Sequence, residues 1–174
     1  HICLSDEEIR QGQRLLEQLP DKAGTPPIAL HPYATHPDKA WKEAYWRQLV
    51  ELFESRGIPW IVIGRGSGME GIPASRNFTN RTSLRETCAL LKSSSLLITG
   101  DSGPMHLAGA VGTPVLALFG PTTEEWGFFP AGPKDRVLES QLDCRPCTLH
   151  GKKHCDRNHA CMQSITPEQV MRAL

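Results

Sequence analysis

The chain has 174 residues, 39% of them hydrophobic, and its 19 lysines and arginines balance 19 aspartates and glutamates. This length suits one domain of ordinary size with a buried core. Because the formal net charge is zero, no long-range field gathers nucleic acid or an anionic membrane, and any anionic ligand must be held by local groups. The longest apolar runs, LLIT and VLALF, are far shorter than the roughly 20 residues that span a bilayer, so we expect a soluble protein.

The beginning of the chain predicts a helix. Ser5 and Glu8 have the spacing of a capping box, and apolar residues follow at helical intervals up to Pro20. No strand precedes this helix and the sequence does not begin with methionine, so we expect a piece of a longer protein.

Beyond Pro20, short apolar runs alternate with amphipathic segments. Strands are predicted over residues 28–31, 60–64, 96–99, 115–119 and 136–139. Four further helices are predicted. The first runs from Asp38, placed to cap its start, to Gly57, and the second follows Ser83. The third covers residues 104–111, and the fourth begins at Thr166. The alternation predicts an α/β fold, a Rossmann-like parallel sheet with helices on both faces. Ligands bind such sheets beyond the carboxyl ends of the strands.

The loop after the second strand contains Gly66, Gly68 and Gly71, which spell the G-x-G-x-x-G pattern of a dinucleotide-binding loop. The surroundings argue against that site, because Pro73 follows at once, no helix opens on the third glycine and no strand-end acid follows about 20 residues later. Two interpretations remain. The loop is a mobile turn, or it closes over a ligand with Glu70 accepting hydrogen bonds from sugar hydroxyls.

The stretch after the third strand predicts an anion site. Gly100 and Asp101 end the strand, Ser102 and Gly103 occupy helix N-cap positions, and His106 lies in the first turn. A helix start offers unpaired backbone N–H groups and a partial positive charge, which together attract anions. The alternative is that Asp101 or Ser102 simply caps the helix.

Lys39 favours the binding interpretation. It is predicted in the first turn of a helix, where a cation opposes the helix dipole by a few tenths of a kcal/mol to about 1 kcal/mol, so its position gains from a nearby anion. Solvent exposure would also account for a lysine. Two helix starts beyond strand ends, one with Lys39 and one with Asp101, predict a site for a diphosphate and a sugar.

Four of the six cysteines, Cys144, Cys147, Cys155 and Cys161, lie close together with His150, His154 and His159 among them. Such clustering indicates a reducing compartment, so we expect a cytoplasmic protein with a local thiol site. The first pair has metal-knuckle spacing, and four thiolates could hold a structural zinc or iron ion. The second pair lacks the spacing of zinc ribbons, and the alternative is reduced, buried thiols.

The stretch DSGPMHLAGAVGTPVLALFGPT closely resembles the signature of bacterial lipopolysaccharide heptosyltransferases, glycosyltransferase family 9. The resemblance extends to ALHPYATHPDKAWKEAYWRQLVELF, to TSLRETCALLKSSSLLITG and to the tail from CRPC to CMQSITPEQV, which is nearly the whole chain. It implies a GT-B glycosyltransferase, in which two Rossmann-like domains face a cleft. This chain would be the C-terminal, donor-binding half, with residues 1–20 a linker helix and 21–174 the nucleotide-sugar domain, including the cysteine-rich segment 144–161.

The resemblance also implies roles for single residues. Lys39 would neutralise the donor diphosphate, and Asp101 would bind sugar hydroxyls; these are the two expected catalytic residues. Ser102 and Gly103 would offer backbone and hydroxyl hydrogen-bond donors to the diphosphate.

Four other residues are implied to bind the substrate. Glu70 would bind the ribose, although the glycine-rich loop around it departs from the family's pattern. His106 would support the pocket, and Pro121 and Thr122 would line it.

The implied reaction is transfer of L-glycero-D-manno-heptose from ADP-heptose to the lipopolysaccharide inner core, with inversion. No metal is expected for transfer, because helix N-termini and Lys39 stabilise the departing diphosphate. The general base and the acceptor contacts would lie in the N-terminal domain, with peripheral contact to the inner face of the cytoplasmic membrane. Autotransporter heptosyltransferases, which are related to this family, carry an iron site of four cysteines, and this resemblance favours iron at the four cysteines of this chain.

Two other functions stay open. Another GT-B enzyme with a different nucleotide sugar would share this sheet and these helix starts. A non-catalytic metal or nucleic-acid module would use the basic stretch GKKHCDRNH, but the zero net charge argues against nucleic acid.

Overall fold

The computed structural model describes residues 1–20, 24–148 and 155–174. Its centre is a five-stranded sheet in the order β2-β1-β3-β4-β5, and every neighbouring pair is parallel. The strands are β1 (Ile28–His31), β2 (Trp60–Val62), β3 (Leu96–Gly100), β4 (Val115–Phe119) and β5 (Arg136–Glu139). The predicted parallel sheet is confirmed.

Six helices are described, α1 (Asp6–Leu16), α2 (Glu43–Arg56), α3 (Leu84–Lys92), α4 (Gly103–Val111), α5 (Ala160–Gln163) and α6 (Pro167–Arg172), with 3-10 turns at Pro37–Lys39 and Glu124–Trp126. The predicted capping boxes at Ser5 and Ser83 form, and a third forms at Thr166. Within the described ranges, no helix is long and apolar enough to cross a membrane.

The sheet has a core on each face, because its strands are buried on both sides. Ala29, Ile61 and Leu97 face α3 and α4, and the apolar side chains of α1 add to that core. Leu30 and Val62 point the opposite way, toward α2 and α6. Side chains alternate between the faces because a strand has a period of two, and the α/β fold with helices on both faces follows.

The strand order has a topological switch point between two inner strands, β1 and β3. The chain goes from β1 outward to β2 and then returns to place β3 on the other side of β1. This is the flavodoxin-like order, whose switch point lies between β1 and β3. Segments that leave the carboxyl ends of β1 and β3 therefore lie where ligands bind in open parallel sheets.

Strand β2 ends at Val62, two residues before its predicted end. The predicted start of the second helix is also wrong, and the reason is tertiary. Helix α2 begins at Glu43, so Asp38 does not cap it and Lys39 is not in its first turn; both lie in the preceding 3-10 turn. The chain is extended at Ala40 and Lys42 because Trp41 between them is drawn into the core, 4% exposed, with its indole N–H bonded to the Ile165 carbonyl at 2.8 Å.

Candidate functional site

Three predicted site residues meet beyond the carboxyl ends of β1, β3 and β4. Lys39 Nζ donates to Asp101 Oδ2 at 2.5 Å, and Thr122 Oγ1 donates to the same oxygen at 3.0 Å. The Lys39 and Asp101 side chains are only 14% and 10% exposed. In the described part of the chain, Asp101 Oδ1 has no hydrogen-bond partner, so one carboxylate oxygen stays open to a ligand.

The start of α4 lies directly after Asp101 and is not closed by a side chain. Ser102 is the N-cap residue, but it makes no capping hydrogen bond. The Asp101 carboxylate bonds Lys39 and Thr122 instead, so the alternative that Asp101 or Ser102 simply caps the helix is wrong.

Pro104 has no N–H and the Met105 N–H bonds the Ser102 carbonyl at 3.1 Å, so the Gly103 N–H is the first-turn donor that stays available to an anion. Gly103 and His106 are both exposed there.

The Ser102 hydroxyl turns inward to a buried polar network. It lies 2.9 Å from Thr99 Oγ1 and 3.2 Å from His31 Nδ1, and His31 Nδ1 lies 3.0 Å from Thr99 Oγ1. Burial lowers the pKa of His31 from 6.5 to about 4, so the imidazole is neutral at pH 7. The network explains why the hydroxyl leaves the helix start uncapped.

Sequence reasoning did not assign His31 and Thr99 to the site. Each is the polar residue that follows an apolar run, IAL before His31 and LLI before Thr99, and each is buried at the carboxyl end of its strand. A polar side chain in that position of a buried strand is the signal that could have found them.

The glycine-rich loop is shaped by an aromatic ring. A Cβ on Gly66 would lie 2.3 Å from Tyr33 Cδ1, and one on Gly64 would lie 2.5 Å from His31 Cδ2. The Tyr33 hydroxyl is bonded to Thr79 Oγ1 at 2.6 Å, which holds the ring in place. The loop therefore needs glycine for close packing on Tyr33 and His31.

Glu70 stands apart from the other predicted residues. Its side chain is 77% exposed, and its Oε1 accepts a hydrogen bond from the Gly68 amide at 3.1 Å. Its carbonyl accepts from Arg47 Nη1 of α2 at 3.0 Å. The structure does not bring Glu70 into contact with Lys39, Asp101 or Thr122.

The four clustered cysteines line one pocket of about 240 Å³, together with Asp38, Pro121 and His159. His159 Nε2 lies 2.7 Å from Asp38 Oδ1, which ties this pocket to the turn that carries Lys39. Burial raises the pKa of the Cys161 thiol. Among the described side chains, no three from His, Cys, Asp or Glu are arranged to hold a metal ion, and His150 and His154 lie outside the described residues.

The described fold is shared with solved heptosyltransferases. The structure of E. coli ADP-heptose lps heptosyltransferase II matches with a TM-score of 0.74 and 22% identity, covering 99% of this chain and 51% of that one. The dodecameric iron-containing heptosyltransferase TibC of enterotoxigenic E. coli, solved in complex with ADP-D-beta-D-heptose, matches with a TM-score of 0.68 and 23% identity, covering 88% of this chain and 45% of that one. At these identities the likeness shows the fold, an α/β fold of the GT-B type.

Sequence comparison shows the family. Lipopolysaccharide heptosyltransferase 1 of Pseudomonas aeruginosa is 35% identical over 153 residues, which cover 80% of this chain and 40% of that protein. The chain spans about half or less of the length of the curated relatives it matches. Because residues 4–156 match the family model Glycosyltransferase family 9 (heptosyltransferase), the chain belongs to glycosyltransferase family 9.

Proposed function

We propose that this chain is the donor-binding half of an enzyme that transfers heptose from ADP-heptose to the lipopolysaccharide inner core with inversion. The observation that carries the proposal is the Lys39–Asp101–Thr122 cluster beside the uncapped start of α4, at the switch point of the sheet. Family membership supports it, as does the TibC complex with ADP-D-beta-D-heptose.

Lys39 and the start of α4 are the proposed diphosphate site. A unit charge about 4 Å from an anion contributes about 4 kcal/mol at an effective dielectric constant of about 20. A helix N-terminus carries roughly half a charge, so it contributes less than the lysine. We therefore assign the larger share of diphosphate stabilisation to Lys39, with backbone N–H groups at Ser102 and Gly103 completing it. Both act more strongly as charge builds on the departing ADP, which makes Lys39 catalytic.

Asp101 is the proposed sugar contact. Its Oδ2 is held by Lys39 and Thr122, which fixes the plane of the carboxylate. The open Oδ1 can accept hydrogen bonds from sugar hydroxyls. Thr122 thereby orients Asp101, and Pro121 lines the pocket beside it.

Other assignments rest on exposure and position. His106 is exposed in the first turn of α4 and supports the same pocket. The Ser102 hydroxyl is engaged inside the fold, so its contribution to the diphosphate comes from the backbone. Glu70 is exposed, and its proposed contact with the ribose needs the ligand to extend to the loop over 64–71.

The chemistry requires no cofactor in this half. The acceptor oxygen attacks the anomeric carbon opposite the departing ADP, which inverts the configuration. The general base and the acceptor contacts belong to the proposed N-terminal half, joined through residues 1–20, and we place the whole enzyme in the cytoplasm at the inner face of the membrane.

Calorimetric titration tests the donor site. ADP-heptose should bind the chain, and Lys39→Met should weaken binding at least tenfold, the size of one lost charged hydrogen bond. Lys42→Met is the matched control, since Lys42 lies three residues away and bonds Gln163 on the surface at 2.9 Å. Equal affinity for UDP- or GDP-sugars would favour another GT-B enzyme, and equal binding by both lysine variants would reject the site.

The thiol pocket supports a separate proposal, a structural zinc or iron ion. All four cysteines line that pocket, and TibC is iron-containing. The described arrangement brings no three ligands to metal-binding positions, so the thiols would have to close around the ion. Metal analysis of the purified protein tests it: Cys147→Ser should lower bound metal, and a metal content near zero in the parent protein would reject it.

A further inference from the structure

Arg145, in the cysteine-rich segment 144–161, has a buried side chain that is 4% exposed. Its Nη2 donates to the Thr122 carbonyl at 2.9 Å, and its Nε donates to the Gly120 carbonyl. Its charge is paired with Glu139, whose Oε2 lies 2.8 Å from Nη2. A planar guanidinium can bind several carbonyls at fixed angles, which a lysine cannot do.

Apart from the Ser140 carbonyl, which Arg145 Nη1 bonds, the carbonyls that the Arg145 side chain bonds belong to residues 119–122, which we call the β4 turn. Besides Gly120 and Thr122, the Phe119 carbonyl lies 3.4 Å from Arg145 Nη2. The Pro121 carbonyl accepts from the Cys147 amide at 3.0 Å. Every carbonyl of the β4 turn is therefore held by residues 145–147.

The β4 turn ends in a residue of the donor site. Thr122 Oγ1 donates to Asp101 Oδ2 at 3.0 Å, the oxygen that also accepts from Lys39. Thr122 therefore bonds Arg145 through its carbonyl and Asp101 through its hydroxyl. A shift of the β4 turn would remove one of the two contacts that fix the carboxylate.

We propose that Arg145 is a positioning residue of the donor site, which holds the β4 turn so that Thr122 orients Asp101 toward the sugar. The proposal rests on the proposed function, because it assigns Arg145 a role in that same site. Because the Arg145 side chain is buried, we assign it no contact with the donor. Arg145 acts on the geometry of Asp101, so the loss of Arg145 should weaken the binding of ADP-heptose more than the binding of ADP.

A purely structural arginine would behave differently, and the chain offers one for comparison. Arg76 is also buried, 5% exposed, and donates from Nη1 to the Trp60 carbonyl at 3.0 Å. It lies beside β2, at the opposite edge of the sheet from β5. Arg76→Lys therefore measures the cost of losing a buried guanidinium away from the donor site.

The experiment is calorimetric titration of ADP-heptose and ADP into the full chain and its variants. Arg145→Lys should weaken the binding of ADP-heptose about tenfold, the effect of losing one hydrogen bond to a charged group. The binding of ADP should change less. Arg76→Lys should leave both affinities unchanged even where it lowers the melting temperature. In the Asp101→Ala background, Arg145→Lys should add no further loss, because coupled residues are not additive.

Three results would overturn the proposal: equal losses for ADP and ADP-heptose, equal effects of the two arginine variants, or full additivity with Asp101→Ala. If Arg145→Lys does not fold, Glu139→Gln tests the proposal instead. This variant removes the charge that pairs with the Arg145 guanidinium, and it changes a partly exposed carboxylate. We expect a smaller loss of the same selectivity from Glu139→Gln, and unchanged ADP-heptose affinity would overturn the proposal. If the parent chain itself binds neither ligand, the proposed function fails first.

Discussion

The buried imidazole of His31 should make the stability of this protein depend on pH. His31 is 6% exposed, and its Nδ1 is shared between Thr99 and Ser102. Burial holds its pKa at about 4, against 6.5 for an ordinary histidine. His31→Asn removes the titrating group while keeping a polar atom near the position of Nδ1.

The size and sign of the effect follow from proton binding. Between about pH 6.5 and 4 the unfolded chain binds a proton at His31 and the folded chain does not. The stability is therefore fully present above the unfolded pKa and is lost as the pH falls through this window. A difference of about 2.5 pH units corresponds to about 3 kcal/mol at most, and to about 2 kcal/mol by pH 5.

Urea denaturation at several pH values between about 7 and 5 measures this directly. The parent protein should lose about 2 kcal/mol more than His31→Asn over that range. Contributions from carboxylates are common to both proteins and cancel in the comparison. His106→Asn, at an exposed histidine of α4, is the control for the replacement of a histidine by asparagine. Parallel loss of stability in the parent and His31→Asn would refute the reasoning.

Two further predictions concern packing and thiol chemistry. Gly12→Ala should lower the free energy of unfolding by about 1–3 kcal/mol, because its Cβ would lie 2.7 Å from the Ala89 carbonyl oxygen where α1 crosses α3. Gly109→Ala, with open space around its Cβ, should be neutral or stabilising by up to about 1 kcal/mol; denaturation curves that coincide for the two variants would contradict this. Iodoacetamide should modify exposed Cys3 faster than Cys88, because Cys88 is buried and burial raises its pKa, as mass spectrometry can follow. Equal rates at the two thiols would count against the described burial.

Elements defined by local chemistry could be predicted from the sequence. The capping boxes at Ser5 and Ser83 satisfy helix N–H groups with residues three positions apart, so they need no tertiary information. Strand β4 also has its predicted bounds, because a buried apolar run lies between Pro114 and Gly120. The same holds for the C-terminal end of α4, where Gly112 adopts a left-handed conformation.

Features that depend on distant residues could not be predicted. Helix α2 begins at Glu43 and not near Asp38, because Trp41 is buried against residues far along the chain. The strand order also depends on contacts between distant residues, so the local sequence does not predict it. This order brings Thr122 and Lys39 to the same oxygen of Asp101. The positions of Lys39 and Asp101 in the sequence predicted a diphosphate and sugar site, and the family resemblance implied the single roles, including that of Thr122. The mutual contacts came from the structure.

The central claim is that Asp101 holds the sugar of a nucleotide-sugar donor at the start of α4. The most direct measurement compares the affinities of ADP-heptose and ADP for the parent chain and for Asp101→Ala by calorimetry. The parent should prefer ADP-heptose over ADP by about tenfold, and Asp101→Ala should bind the two alike because the sugar contact is gone. An Asp101→Ala variant that keeps the full preference for ADP-heptose, or a parent chain that shows none, would contradict the account.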